Sequence, residues 1–135
     1  LADYVDAPKK EKKKLLKEMP EDQKYFNKKI AYFPDGYRKN GTDLVSPRAL
    51  KHIQELQELA ETTDKRCILC FMIQRSDATS FQPSNIDTLY KHAVQTAWKN
   101  GVEIKTVQVK WDETGRCVFV RNDLPINLFD KPTSR

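Results

Sequence analysis

The sequence predicts an α/β domain, a mixed sheet with helices packed on it. Three observations carry that expectation. Seven apolar residues in a row, Cys67-Ile68-Leu69-Cys70-Phe71-Met72-Ile73, read as a strand buried on both faces. Segments with apolar residues at helical spacing lie on either side of it. Beyond them, Val102–Trp111 alternates apolar and polar residues, turns at Asp112-Glu113-Thr114-Gly115 and returns as Cys117-Val118-Phe119-Val120. Strand, helix, strand, helix, strand and hairpin in that order fold into one layered unit. A length of 135 residues suits one domain better than two.

Taken in order, residues 1–29 read as a lysine-rich insertion or linker, and residues 30–135 as the domain. Pro8-Lys9-Lys10-Glu11-Lys12-Lys13-Lys14 is followed by Glu18-Met19-Pro20-Glu21-Asp22. So few apolar residues cannot bury a face, so a solvated helix or a mobile insertion is expected. Its functional reading is a phosphate-contacting or localisation patch, and its plain reading a solvated spacer.

Ile30–Phe33 is a short strand stopped by Pro34-Asp35-Gly36, and Tyr37–Val45 reads as an exposed loop. Ser46-Pro47 starts a helix, with Ser as N-cap and Pro at the first helical position. Leu50, Ile53, Leu56 and Ala60 form its apolar stripe, to about Glu61. After the apolar run, Gln74-Arg75 is an abrupt polar exit, and Ser76–Pro83 reads as a polar loop anchored by Phe81. Ser84-Asn85-Ile86-Asp87 opens the second helix, with Asp87 where a carboxylate reaches back to the cap. Lys99-Asn100-Gly101 ends that helix, and the tail from Asn122 closes the fold.

A net charge of +5 and a pI near 9.1 mildly favour anionic partners. No run approaches the roughly 18 apolar residues of a membrane span, so no membrane partner is expected. Leu1-Ala2-Asp3 begins no signal peptide, and the chain opens without Met, as a piece of a longer protein does. Three cysteines, two of them in the apolar run, argue against a disulfide framework and for the cytoplasm or another reducing compartment. Cys67 and Cys70 spell C-x-x-C, but residues three apart on a strand face opposite sides. They are expected to be buried, inert thiols.

Several chemistries are excluded by their missing motifs. There is no G-x-G-x-x-G or Walker loop, no G-x-S-x-G elbow and no H-E-x-x-H pair; His52 and His92 lie on different helices. What remains is a polar group expected at one sheet edge. In open α/β sheets ligands gather beyond the carboxyl ends of the strands, where Gln74 and Arg75 emerge. Asp35 follows a strand and a proline, while Arg48, Lys51 and His52 lie in the first turns of a helix whose N-terminus favours anions. Such a set suits a phosphodiester; it equally suits an N-cap network with solvated charges.

At these residues the sequence resembles the sugar fermentation stimulation protein family. The matching pieces are Ile30-Ala31-Tyr32-Phe33-Pro34-Asp35, Ser46 to Leu56, Cys67 to Asp77, Phe81 to Asp87 with Tyr90, and Ala97 to Ile104. The resemblance implies a nucleic-acid-binding protein, with an N-terminal OB-like domain and a C-terminal domain of PD-(D/E)xK restriction-endonuclease-like core. Only the latter is represented, incomplete at its N-terminus. In that core a metal is held by an Asp and by the Glu of an E-x-K strand. In the family this strand ends just before the point where this chain begins, which puts Leu1 at its last position.

The main metal ligands then fall outside the chain. No cofactor is expected here, and Mg2+ or Mn2+ belongs to a full-length form. The residues carried over are Asp35, Lys51, His52, Gln74 and Arg75; with Arg48, read from its place at the helix start, the expected site has Asp35, Lys51 and Gln74 in catalytic positions and Arg48, His52 and Arg75 as nucleic-acid contacts. The expected partner is DNA, bound without sequence preference. The alternatives are a metal-dependent phosphodiesterase in the full-length protein and a non-catalytic regulatory domain. Asp3–Lys29 and Tyr37–Val45 are insertions relative to the family, and Ala49 replaces a glycine.

Overall fold

The computed structural model describes residues 2–18, 29–35 and 45–129. Strand β1 (Ala2–Asp3) is followed by α1 (Lys9–Glu18), β2 (Lys29–Phe33), α2 (Pro47–Thr62), β3 (Ile68–Ile73) and β4 (Ala78–Pro83). Then come α3 (Thr88–Lys99), β5 (Glu103–Trp111) and β6 (Cys117–Arg121). Two three-stranded mixed sheets result, in the orders β1-β2-β4 and β3-β5-β6. In the first, β1 runs antiparallel to β2, and β2 parallel to β4. In the second, β3 and β5 are parallel and β6 returns antiparallel along β5. Among the described residues, no helix is long and apolar enough to cross a membrane.

The helix boundaries have local causes. Ser46 caps α2 by accepting from the Ala49 amide at 3.2 Å, with Pro47 beginning the helix. Asp87 caps α3 itself: one carboxylate oxygen accepts from the Tyr90 amide at 3.0 Å and the other from the Val45 amide at 3.1 Å. One side chain thus fixes the starts of both helices relative to each other. Gly101, at φ 102°, takes the left-handed turn that leads out of α3 into β5. The core forms where the helices meet the sheets, around Ile53, Phe71, Phe81, Tyr90, Val94 and Val102.

Several expectations from the sequence are corrected. The apolar run is not buried on both faces: Phe71 is 8% exposed, but Ile68 is 42% and Met72 57%. The reason is its place in the sheet, since among the described residues β3 pairs with β5 alone and lies at an edge. Cys67 is buried as expected, whereas Cys70 and Cys117 are exposed, and all three are free thiols. The segment expected as a loop from Ser76 contains β4, which pairs with β2 from Ala78 to Pro83. The tail is tied to β4 as well, through Phe81 N–H to the Pro125 carbonyl and Asn127 N–H to the Phe81 carbonyl, both 2.8 Å.

The stretch expected as one insertion divides. Residues Ala2, Asp6 and Ala7 are buried in the domain, whereas α1 has no buried residue. The loop expected at Tyr37–Val45 lies outside the described residues except for Val45.

Candidate nucleic-acid interface

A cavity of about 620 Å³ opens between β2 and β3. Its wall includes Ala31, Tyr32 and Phe33 of β2, and every residue from Leu69 to Arg75. Successive strand residues point to opposite faces, so a cavity that touches five strand residues in a row, Leu69 to Ile73, runs along the edge of β3 rather than over one face. The floor is aromatic. Phe71 stacks on Phe81 with ring centroids 4.3 Å apart, and Phe33 lies 5.9 Å from Phe71 and 5.6 Å from Tyr90. Burial drives the Tyr90 hydroxyl strongly upward in pKa, which keeps it neutral.

Polar groups stand where β3 ends. Gln74 accepts a hydrogen bond from the Trp111 indole N–H at 2.9 Å. This orients the amide so that its NH2 group, unbonded among the described residues, is left to donate. Arg75 makes a two-pronged pair with Asp77, Nε to Oδ1 at 3.1 Å and Nη2 to Oδ2 at 2.8 Å. The Arg75 bond holds the Asp77 carboxyl below the usual carboxylate range. The backbone between β3 and β4 is held from below by buried Gln108, whose amide donates to the carbonyls of Arg75 at 2.7 Å and Ala78 at 3.0 Å. His52, on α2, faces the same cavity.

The structure therefore brings His52, Gln74 and Arg75 together, and leaves three of the sequence-derived residues outside the cavity wall. Asp35 follows the cis Phe33–Pro34 bond at the end of β2, exposed. Burial raises the Tyr32 hydroxyl pKa and the Asp35 charge adds to it, so Asp35 stands beside the wall without being part of it. Lys51 is exposed and lies 3.9 Å from Glu55 one turn along α2. Arg48 is exposed and has no ion pair among the described residues. Helical geometry explains the separation: from His52, residues 48 and 49 are a turn back, but only Ala49 shares the cavity side. Sequence reasoning missed Asp77, Gln108 and Trp111. Asp77 had a usable signal, an acidic residue two positions after Arg75. Gln108 and Trp111 reach the site only through the β3–β5 pairing.

A family model described as "Sugar fermentation stimulation protein RE domain" matches residues 23–115. The chain belongs to the sugar fermentation stimulation protein family. It is 33% identical over 87 residues to the sugar fermentation stimulation protein homolog of Alcanivorax borkumensis, covering 64% of this chain and 35% of that protein. With the homolog from Citrifermentans bemidjiense it shares 36% over 100 residues, 73% of this chain and 38% of the relative. The chain thus spans little more than a third of the length of these sugar fermentation stimulation protein relatives. Among solved structures, Pyrococcus furiosus SfsA in complex with Ca2+ resembles it with a TM-score of 0.55 at 21% identity, over 70% of this chain and 42% of that one. At that identity the likeness speaks for the fold.

Proposed function

We propose that this chain binds nucleic-acid phosphates, DNA first, without reading sequence, at the rim where β3 ends. The observation that supports this reading is the convergence of His52, Gln74 and Arg75 on one cavity mouth. The Gln74 amide is oriented by Trp111, and the Arg75 guanidinium is held in place by Asp77. Amide and guanidinium N–H groups are donors suited to phosphate oxygens. Family membership and the fold of the Pyrococcus furiosus protein support a PD-(D/E)xK-like core as the scaffold. A phosphate at this rim shares Arg75 with Asp77, and such a contact favours modest affinity with strong dependence on salt. Asp35, Lys51 and Arg48 belong to the reading as outlying contacts beyond the cavity wall.

Titrating a labelled duplex at two ionic strengths tests this. Wild type should bind more weakly as salt rises. Arg75→Ala should weaken binding about tenfold, the loss of one charge-assisted bond, and lower the salt slope by about one. No binding at low salt, or an Arg75→Ala protein that binds like wild type, rejects the proposal in favour of a non-catalytic regulatory domain.

A metal-dependent phosphodiesterase is the second reading, supported by the Ca2+ complex of the Pyrococcus furiosus protein. The residues here do not fit a metal by themselves: among the described residues no three His, Cys, Asp or Glu side chains form a group able to hold one. Mg2+ or Mn2+ would need carboxylates from elsewhere in a longer protein. Hydrolysis of DNA or RNA by a full-length relative with either ion, lost on chelation, would support it. An inert full-length protein would end it.

A further inference from the structure

The lysine-rich helix α1 is unused by the site described above, and its geometry is not that of a spacer. The segment before it is fastened to the domain. β1 pairs with β2, and the buried Asp6 carboxylate accepts from Gln82 Nε2 at 2.7 Å, Ser84 Oγ at 2.9 Å and the Asn85 amide at 2.8 Å. The helix is fastened again from its own middle, where Lys12 Nζ meets Asp3 Oδ2 at 2.7 Å. Burial raises the Tyr32 hydroxyl pKa, and the Lys12 charge lies near enough to draw it down against that effect. Tyr32 belongs to the cavity wall.

Only Lys12 and Leu16, one turn apart, are half-buried; every other residue of α1 is exposed. At 100° per residue, Lys10, Lys13, Lys14 and Lys17 fall at i, i+3, i+4 and i+7 and form one stripe on the opposite side. Six lysines against two glutamates leave α1 with a net charge of +4. None of the four stripe lysines makes an ion pair among the described residues. Like charges so close repel one another, and a helix gains nothing from that arrangement unless an anion meets it.

We infer that the Lys10/Lys13/Lys14/Lys17 face of α1 is a second phosphate-binding surface, which contacts the sugar–phosphate backbone of a nucleic acid beside the β3 rim. This rests on the reading that the chain binds nucleic-acid phosphates, and extends it to a contact carried by the insertion. The stripe is about 10 Å long at 1.5 Å per residue, enough to follow a few successive phosphates of one strand. A lipid surface is the poorer match: Leu15 stands alone in solvent and Leu16 faces the domain, so no apolar face remains to enter a bilayer.

The test compares wild type, the quadruple variant Lys10→Gln/Lys13→Gln/Lys14→Gln/Lys17→Gln and Arg75→Ala for binding to a labelled duplex over a range of salt. Gln keeps helix propensity and removes charge, and circular dichroism with a urea midpoint checks that the variant folds. The expected result is about a tenfold or greater loss of affinity at low salt, with a salt slope lower by about two to four. The matching quadruple Lys→Arg variant should bind like wild type. A quadruple Gln variant that binds like wild type while Arg75→Ala is weakened overturns the helix surface and spares the rim. The reverse pattern supports the helix and sinks the rim. No binding by wild type at low salt, or wild type that sediments with phosphatidylserine vesicles but ignores duplex, overturns both.

Discussion

Asp6 shows how much one side chain can decide. It is 5% exposed, and its carboxylate meets three donors from the stretch Gln82–Asn85. Its backbone carbonyl accepts a fourth bond, from Asn85 Nδ2 at 3.1 Å. Ser84, also buried, passes the network on by accepting from the Ile86 amide at 3.1 Å. Asp6→Ala leaves buried donors without partners, so it should lower stability by about 2–4 kcal/mol, read as a shift in the urea midpoint at unchanged slope. A loss below about 1 kcal/mol would mean that the network is dispensable. Nothing in the sequence announces this residue. Its partners lie 76 to 79 positions away, and it sits in a charged, low-complexity stretch. Ser46 is the opposite case: its bond to Ala49 spans three residues, so the motif Ser46-Pro47 could be read directly. Ser46→Ala should cost about 1 kcal/mol by the same measurement. Asp87 lies between these. Its N-terminal position in α3 was legible, but not that it is the cap itself, nor that it also ties down Val45.

At the scale of elements, legibility follows the range of the interactions that make each one. The two long helices declare themselves through apolar residues at helical spacing and through caps, all local. β5 and β6 declare themselves through alternation and a turn. β4 reads as a loop in the sequence because Ser80, Gln82 and Pro83 look like loop residues; it is a strand because β2 offers it a parallel partner some 50 residues earlier. β1 has only two residues and exists through its pairing with β2. The position of β3 is plain from its apolar run, but its exposure is not, since such a run does not say how many neighbours a strand has. The edge position gives a discriminating pair of variants. Phe71 packs into the core beside Phe81, and Phe71→Ala should cost about 3–5 kcal/mol. Met72 points the other way and is 57% exposed, so Met72→Ser should change stability by no more than about 0.5 kcal/mol. Equal costs at the two positions would show that both faces of β3 are covered in solution.

For the molecule as a whole, the ionic contacts set a pH window of stability, and its limits follow from the signs of the shifts. Burial alone would raise the Asp3 carboxyl, but the bonds from Lys12 and the Tyr4 amide outweigh it and hold the group below its ordinary value. Asp77 is lowered by Arg75, Asp112 by the Thr114 hydroxyl and Asp123 by Arg121. A carboxylate whose pKa is lower folded than unfolded stabilises the fold in full above the unfolded value near about 4, and that contribution disappears as pH falls through the folded value. The alkaline side has the opposite sense. The Asp3 bond raises Lys12, and burial raises Tyr32 and Tyr90. Groups raised by folding contribute in full below their unfolded values near about 10, and lose that contribution as pH rises through the folded ones. Stability should therefore be flat between about pH 5 and pH 9 and fall on both sides. Urea midpoints across the range measure it, and a midpoint that rises as pH drops below about 4 would contradict the assigned signs. Asp3→Asn should flatten part of the acid limb while leaving the Asp77, Asp112 and Asp123 contributions in place. The same variant removes a carboxylate beside the lysine-rich helix and frees its partner, the Lys12 ammonium. Where phosphates meet that helix, duplex affinity at low salt should therefore rise while stability falls; an affinity that falls together with stability would mean that the placement of α1, and not its charge, governs binding.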